Sequence, residues 1–148
     1  MKDCQSSHAF CQSNTNAQLP TRLIEIVNAT TVRLVDTAGQ SGIYVALSYC
    51  WGAAAPGVNY IPVEANLGAR LALKGFPRDE LPATIIDAIT ITERLGMQYI
   101  WVDALCIIQD EKKDKEFELG KMSQYYRNSY LTIAASTPGA VTGFIGKQ

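Results

Sequence analysis

The sequence predicts an α/β fold: a mixed, mostly parallel sheet flanked by helices, with an antiparallel strand extension at the N-terminal end. Residues 22–27 and 31–36 have the apolar patterns of strands, and the short polar link between them is typical of a hairpin. The second half of the chain alternates helix, strand, helix and strand, an order that favours parallel strands. A length of 148 residues fits one domain.

The N-terminal segment differs in composition from the rest of the chain. Residues 1–19 are mostly polar and lack periodicity, so we expect a flexible tail followed by a single domain over residues 22–146. The single histidine, His8, lies in this segment. A Ser-His-Asp triad or a multi-histidine metal site is therefore almost excluded. Cys4, His8 and Cys11 have a spacing that suits three zinc ligands, but a fourth ligand is missing and we expect no metal.

The first half of the domain is expected to contain a third strand, an edge strand and a helix. Residues 43–49 are apolar on both faces, which predicts a central strand. Residues 59–64 suit an edge strand because Pro62 has no N–H to donate to a neighbour. Asn66 is the predicted N-cap of a helix that Gly75 ends.

The second half is expected to begin with a helix and a long strand. Thr84 and Asp87 have the spacing of a capping box, which predicts the start of the helix, although the alternating run 89–92 also fits a strand. Residues 98–103 form a strongly apolar strand, and the run 104–108 extends it.

The last predicted elements are a helix from Asp114, as its cap, to Asn128, and a strand over residues 130–135. On a helical period Glu118 falls on the flank of the apolar face. Two interpretations stay open for Glu118: a boundary residue whose head group reaches water, or a carboxylate held over a pocket.

Ligands of parallel sheets bind outside the carboxyl ends of the strands, and three segments are predicted to meet there. These are residues 48–52, residues 103–110 and the loop after Ala135. Asp103 at the strand end either accepts backbone N–H bonds or serves a ligand as a binding or catalytic carboxylate. Trp51 either stacks on a flat ring or belongs to the core.

Three blocks of sequence resemble the fungal heterokaryon incompatibility (HET) domain, in the order the family has them. The first is YVALSYCWG at 44–52, and the second is LPATIIDAI at 81–89 with YIWVDALCIIQD at 99–110. The third comprises Asp114, Glu118, Met122, Tyr126, the strand at 130–135 and GFIG at 143–146. Together the blocks cover roughly residues 44–146.

The resemblance implies a fungal origin and a role in non-self recognition that ends in programmed cell death. HET domains have been likened to Toll/interleukin-1 receptor (TIR) domains, which have a flavodoxin-like parallel sheet. Some TIR domains hydrolyse NAD+ with one glutamate on a helix beside the pocket, and by analogy Glu118, followed by Asp103, is the candidate catalytic carboxylate. The candidate ligand-binding residues are Ser48, Tyr49, Trp51, Gly52, Cys106, Asp110 and Tyr126.

The hypotheses of function differ in whether the domain is an enzyme. The first is hydrolysis of NAD+ as substrate, with no resident cofactor expected. The alternative is a non-enzymatic signalling module that acts by self-association or through an unidentified receptor or HET partner protein. A third, less favoured hypothesis is a metabolic enzyme with the same fold. The formal net charge of -1 gives no basis for nucleic-acid binding. The sequence has no signal peptide or membrane span, so we expect a cytoplasmic protein.

Overall fold

The computed structural model describes residues 16–52 and 60–146. Its strands are β1 (Ala17–Gln18), β2 (Arg22–Ile26), β3 (Thr31–Asp36), β4 (Ser41–Gly42), β5 (Val45–Tyr49), β6 (Phe76–Pro77), β7 (Tyr99–Trp101) and β8 (Leu131–Ala135). Its helices are α1 (Glu64–Leu71), α2 (Ala83–Arg94), α3 (Asp103–Cys106) and α4 (Lys112–Asn128), with a 3-10 turn at Arg78–Glu80.

Six of these strands form one mixed sheet in the order β6-β3-β2-β7-β5-β8, which confirms the α/β class. Strand β5 runs parallel to both β7 and β8. Strand β2 runs antiparallel to β3 and β7, and β3 runs antiparallel to β6. Among the described strands the parallel part is therefore smaller than predicted, because the N-terminal hairpin and β6 make up half of the sheet. Strands β1 and β4 form a separate antiparallel pair.

The core lies where the antiparallel and parallel halves of the sheet meet. Ile24 of β2, Ile100 of β7 and Val45 of β5 have no exposed surface. Helix α2 covers this centre with Ile85 and Ile89, which are also fully buried. The sheet thus fixes the positions of the ends of β5 and β7, where the candidate ligand-binding segments begin.

The predicted long strand over residues 98–108 is wrong in its second part. Strand β7 ends at Trp101, and Asp103 begins the helical turn α3. An apolar run of this kind fits a buried strand and a buried helical turn equally well, so periodicity alone cannot separate them. Asp103 nevertheless follows the strand end, as expected.

The predicted edge strand over residues 59–64 is also wrong for the residues that are described. Residues 60–63 are not in a strand and Glu64 begins α1, while residue 59 lies outside the described ranges. Asn66 lies inside the helix rather than at its N-cap, and its side-chain oxygen accepts a bond from the Val63 N–H at 2.9 Å. The helix start is therefore closed by a side chain that reaches back from the first turn.

Residues 89–92 lie within α2, so the strand alternative for this segment is excluded. The side chains of Thr84 and Asp87 do not form the predicted capping box but bind the C-terminal segment. The Thr84 hydroxyl donates to the Thr142 carbonyl at 2.7 Å. The Asp87 carboxylate accepts from the N–H groups of Phe144 and Ile145 at 2.6 and 2.8 Å. These bonds hold the segment over residues 137–146 on α2.

Helix α4 begins three residues earlier than predicted, because its N-cap is Glu111 rather than Asp114. The Glu111 carboxylate accepts from the Lys113 N–H at 3.0 Å and from the Asp114 N–H. Asp114 instead binds Arg22.

Residues 1–15 of the predicted tail, with Cys4, His8 and Cys11, lie outside the described residues. Ala17–Gln18 pairs with β4, and Leu19 is buried. Within residues 16–52 and 60–146, no helix is both long and apolar enough to cross a membrane.

Candidate functional site

A half-buried carboxylate stands at the carboxyl end of the parallel strands. Asp103 follows β7, and its Oδ2 accepts a bond from the indole Nε1 of Trp51 at 3.0 Å. Its Oδ1 accepts from the Ala104 N–H at 2.7 Å. Burial raises the pKa of Asp103 above its ordinary value of 3.8, and the bonds from Ala104 and Trp51 oppose that rise. The sequence alternatives for Asp103, backbone anchor and ligand carboxylate, are therefore compatible.

Three tyrosines border this carboxylate, and with it and Trp51 they form what we call the Asp103 cluster: Tyr49, Trp51, Tyr60, Asp103 and Tyr126. Burial, and then the charge of Asp103, raises the pKa of each tyrosine. For Tyr126 the pKa rises to about 12, while a hydrogen bond from the Ser48 side chain opposes the rise. All three phenols thus stay neutral near pH 7 and can donate hydrogen bonds.

The Tyr49 hydroxyl is the unusual member of the cluster. It is buried, and it has no hydrogen-bond partner among the described residues. A buried polar group without a partner is costly, and most buried polar groups in native proteins have a hydrogen-bond partner. Tyr126, by contrast, donates to the Leu47 carbonyl at 3.3 Å. The cluster therefore combines an exposed aromatic ring, a carboxylate and a phenol hydroxyl that has no hydrogen-bond partner among the described residues.

The loop after β8 meets the end of β5, as the sequence predicts. Gly52 has a positive φ of 73°, and a Cβ there would lie 2.9 Å from the Cα of Gly139. The Ala140 N–H donates to the Trp51 carbonyl at 3.3 Å. Only glycine allows this close approach without strain, so Gly52 shapes the backbone beside the site.

Cys106 and Asp110 lie close to the cluster in sequence but have other contacts. Cys106 is fully buried, and burial raises the pKa of its thiol to about 12, so the thiolate is not available near neutral pH. The Asp110 carboxylate accepts from the Glu64 N–H at 3.0 Å and fixes the start of α1. Both residues support the site from outside.

Glu118 lies in a second, buried group of charges. Its side chain is 1% exposed, and its Oε2 accepts from the Tyr125 hydroxyl at 3.0 Å. Its Oε1 is 3.8 Å from Arg22 Nη2 and has no hydrogen-bond partner among the described residues. Arg22 also donates to both oxygens of Asp114, each at 2.6 Å, and to the Cys106 carbonyl at 2.7 Å.

The structure thus brings Ser48, Tyr49, Trp51, Gly52, Asp103 and Tyr126 to one end of the sheet, whereas Glu118 binds Arg22 and Tyr125. Sequence reasoning missed Tyr60, Arg22 and Asp114 as members of these two groups. The cation next to the apolar pair Leu23 and Ile24 could have indicated the role of Arg22, since a charge in such a segment needs a buried partner. Within the described ranges, no group of three His, Cys, Asp or Glu side chains could hold a metal ion.

Comparison with known proteins identifies the family. The family profile described as "Heterokaryon incompatibility protein (HET)" matches residues 44–147. No curated protein and no solved structure matches the chain. The match contains the whole Asp103 cluster and Glu118, begins after the β2–β3 hairpin and spans most of the chain. The family supports a role related to heterokaryon incompatibility, and the TIR-like character stays a prediction. The chain belongs to the heterokaryon incompatibility (HET) family.

Proposed function

We propose that the protein is an effector of heterokaryon incompatibility, which leads from non-self recognition to programmed cell death by hydrolysing NAD+ at the Asp103 cluster. The observation that supports this proposal is the half-buried Asp103 carboxylate beside the exposed ring of Trp51 at the carboxyl end of β5 and β7. This is the position where open sheets with parallel strands bind ligands.

The chemistry needs a carboxylate and no histidine. When the bond between nicotinamide N1 and ribose C1′ breaks, its electron pair stays on the nicotinamide nitrogen, and the ribose carbon becomes cationic. A water oxygen then binds C1′ and releases its proton to solvent. The ionised Asp103 carboxylate lowers the energy of the cationic state, because opposite charges attract strongly in a partly dry site. Trp51 can stack on a ring of the substrate.

The geometry favours Asp103 over Glu118 as the carboxylate that acts on substrate. The Glu118 side chain is almost fully buried and binds Tyr125 and Arg22. A catalytic group must come within hydrogen-bond reach of the reacting atoms. Glu118 is therefore better placed to hold α4 against β2 than to reach a nucleotide.

The test is release of nicotinamide from NAD+ by the purified chain at high protein concentration. We expect release by the wild type, and a loss of about 100-fold in Asp103→Asn, the magnitude typical of a removed electrostatic stabiliser. Glu118→Gln is expected to change the rate less than Asp103→Asn if it folds. Glu116→Gln removes an exposed carboxylate of the same helix and serves as the matched control.

Two results would overturn this assignment. If folded wild-type protein releases no nicotinamide above background, the enzymatic proposal fails. If Glu118→Gln folds and loses activity while Asp103→Asn keeps it, the reaction depends on Glu118 instead. Circular dichroism of each variant separates loss of activity from loss of fold.

Self-association without catalysis is the second candidate, and exposed apolar residues of α4 favour it. Phe117 is 56% exposed and Leu119 is 50% exposed. A module that acts through this helix should form concentration-dependent oligomers in sedimentation velocity, and Leu119→Ser should weaken them. Cell killing in a fungal host that survives Asp103→Asn and is lost in Leu119→Ser would favour this function over NAD+ hydrolysis.

A further inference from the structure

A cavity with a volume of about 710 Å³ lies apart from the Asp103 cluster. Its walls come from the turn between β2 and β3, from β6 with the 3-10 turn, and from α2. The lining residues that matter here are Thr30, Pro77, Arg78, Asp79, Ile86 and Glu93. Ligand sites commonly have volumes of about 300–1,000 Å³, so this cavity has the size of a binding site.

One wall of the cavity carries an ion pair whose arginine is buried and whose glutamate is partly exposed. The Arg78 side chain is 10% exposed, and its Nη1 donates to Glu93 Oε2 at 3.1 Å. Its Nη2 donates to the Ile86 carbonyl at 3.3 Å and to the Thr90 hydroxyl. Because the guanidinium is bound to three acceptors of α2, its charge is already matched and is not presented to an anion.

The remaining charge of the cavity is negative. One cation, Arg78, and two carboxylates, Asp79 and Glu93, leave a formal net charge of -1. Asp79 is exposed, and the Glu93 side chain keeps 42% of its surface exposed, so both can accept bonds from a ligand. Ile86 and Pro77 add apolar wall beside these acceptors. Such a lining suits a cationic group carried on an apolar stem, which is the form of an arginine or lysine side chain.

The cavity joins the part of the chain that matches the family to a part that precedes the match. Thr30 and its neighbours lie before residue 44, whereas Arg78 and α2 lie inside the matched range. The backbone N–H of Arg78 donates to the Thr30 carbonyl at 2.9 Å and fixes the two walls relative to each other. One site is thus built from residues on both sides of the start of the family match.

We propose that this cavity is a docking site for a basic segment of a partner protein, which inserts an arginine or lysine side chain between Asp79 and Glu93. No residue of the Asp103 cluster lines the cavity, so this site is independent of NAD+ hydrolysis. It supplies the recognition surface that a non-self response needs, at a distance from the reacting groups.

The test uses the full chain and two matched peptides, acetyl-Leu-Arg-Leu-amide and its citrulline counterpart, which has the same shape without the charge. In proton–nitrogen NMR spectra, the arginine peptide should give saturable shifts at the backbone amides of Thr31, Arg78 and Thr90. The citrulline peptide and the variant Asp79→Asn should each bind about fivefold more weakly, as expected for one partly exposed charge contact. Glu116→Gln removes an exposed carboxylate of α4 and should leave the affinity unchanged.

Three results would overturn the proposal. The first is equal binding of both peptides, and the second is the absence of shifts at the cavity with millimolar arginine peptide. The third is a cavity that responds to inorganic phosphate and not to the peptide, which would make it an anion site. None of these results depends on nicotinamide release, so the two proposals succeed or fail separately.

Discussion

The Asp103 carboxyl is partly buried, which disfavours its charged form, but it lies at the end of the sheet where ligands bind. Burial raises the pKa of this carboxyl above 3.8 in the folded protein, so the folded state favours the protonated form. The resulting stabilisation is fully present below the unfolded pKa and is lost as the pH rises through the folded pKa. At neutral pH the ionised group therefore costs stability, and a carboxyl with a raised pKa at the end of a sheet is a candidate for a functional site.

This cost predicts that Asp103→Asn is more stable than the wild type at pH 7. We expect its advantage in urea unfolding to shrink as the pH falls towards 3.8, because the wild-type carboxyl then becomes neutral as well. Any NAD+ hydrolysis should lose rate over the same range, because the protonated carboxyl no longer stabilises the cationic ribose. An Asn variant that is less stable than the wild type at pH 7 would contradict this prediction. Glu116→Gln is the control for a general effect of removing one negative charge.

Arg22 is the cation that balances two carboxylates, the buried Glu118 and the largely buried Asp114. Removal of one partner from a buried ion pair costs about 3–5 kcal/mol, because the remaining charge has no compensation. We expect Arg22→Met, which keeps an apolar stem, to lower the free energy of unfolding by about that amount. Combining it with Glu118→Gln should recover part of the loss, since one of the two uncompensated charges is then absent.

Lys112 is the matched control, because its pair with Glu116 is 87% and 68% exposed at the two side chains. Lys112→Met should change the unfolding free energy by at most about 0.5 kcal/mol. Equal effects of the Arg22 and Lys112 variants, measured by urea unfolding, would show that the buried group contributes no more than a surface pair.

At the scale of elements, the close contact between the end of β5 and the loop after β8 depends on Gly52. Gly52→Ala would place a Cβ 2.9 Å from the Gly139 Cα on a backbone with φ of 73°. Gly96→Ala has a similar φ of 74° but nothing within 4 Å of its Cβ. We expect about 1–2 kcal/mol of destabilisation for Gly96→Ala and a larger loss for Gly52→Ala. Equal melting temperatures for the two variants would show that the loop yields without cost.

The elements with a repeating apolar pattern could be predicted from the sequence. The residues that they contact far away in the chain could not. The hairpin of β2 and β3, the helix that contains Glu118 and the last strand follow from local periodicity. The sequence also placed Asp103 at a strand end and Glu118 on the packing side of its helix. It could not show that Arg22 lies against Glu118, since 96 positions of chain separate them and only the sheet order joins them.

Where a helix cap predicted from the sequence was wrong, the side chain makes a tertiary contact instead of the local capping bond. Thr84 and Asp87 have the spacing of a helix cap, yet their side chains bind the segment over residues 137–146. Asp114 has the position of a cap, yet it binds Arg22, and Glu111 caps the helix. Ser, Thr and Asp satisfy backbone groups in many settings, so their spacing indicates a polar anchor without fixing what is anchored.

At the scale of the whole molecule, the family match begins at residue 44, but the sheet does not. Strand β2 pairs with β7 in the middle of the sheet, and its Leu23 and Ile24 are fully buried. A chain that starts at Tyr44 should therefore fail to unfold cooperatively in urea, because β7 loses a neighbour and the core loses a wall. A chain that starts at Asn16 keeps every described element and is the control. A cooperative transition of the shorter chain close to that of the control would contradict this prediction.

The pairing of β2 with β7 also sets an order for the events of synthesis. Ile24 and Ile100 are partners in the sheet, yet 76 positions of chain separate them. On a ribosome the β2–β3 hairpin can form early, but one edge of β2 stays unpaired until residues 99–101 have emerged. During that interval an apolar strand edge is open to other chains, which is the setting in which newly made proteins aggregate or recruit chaperones. Strand β7, which joins the N-terminal hairpin to β5, thus also ends the exposure of this edge of β2.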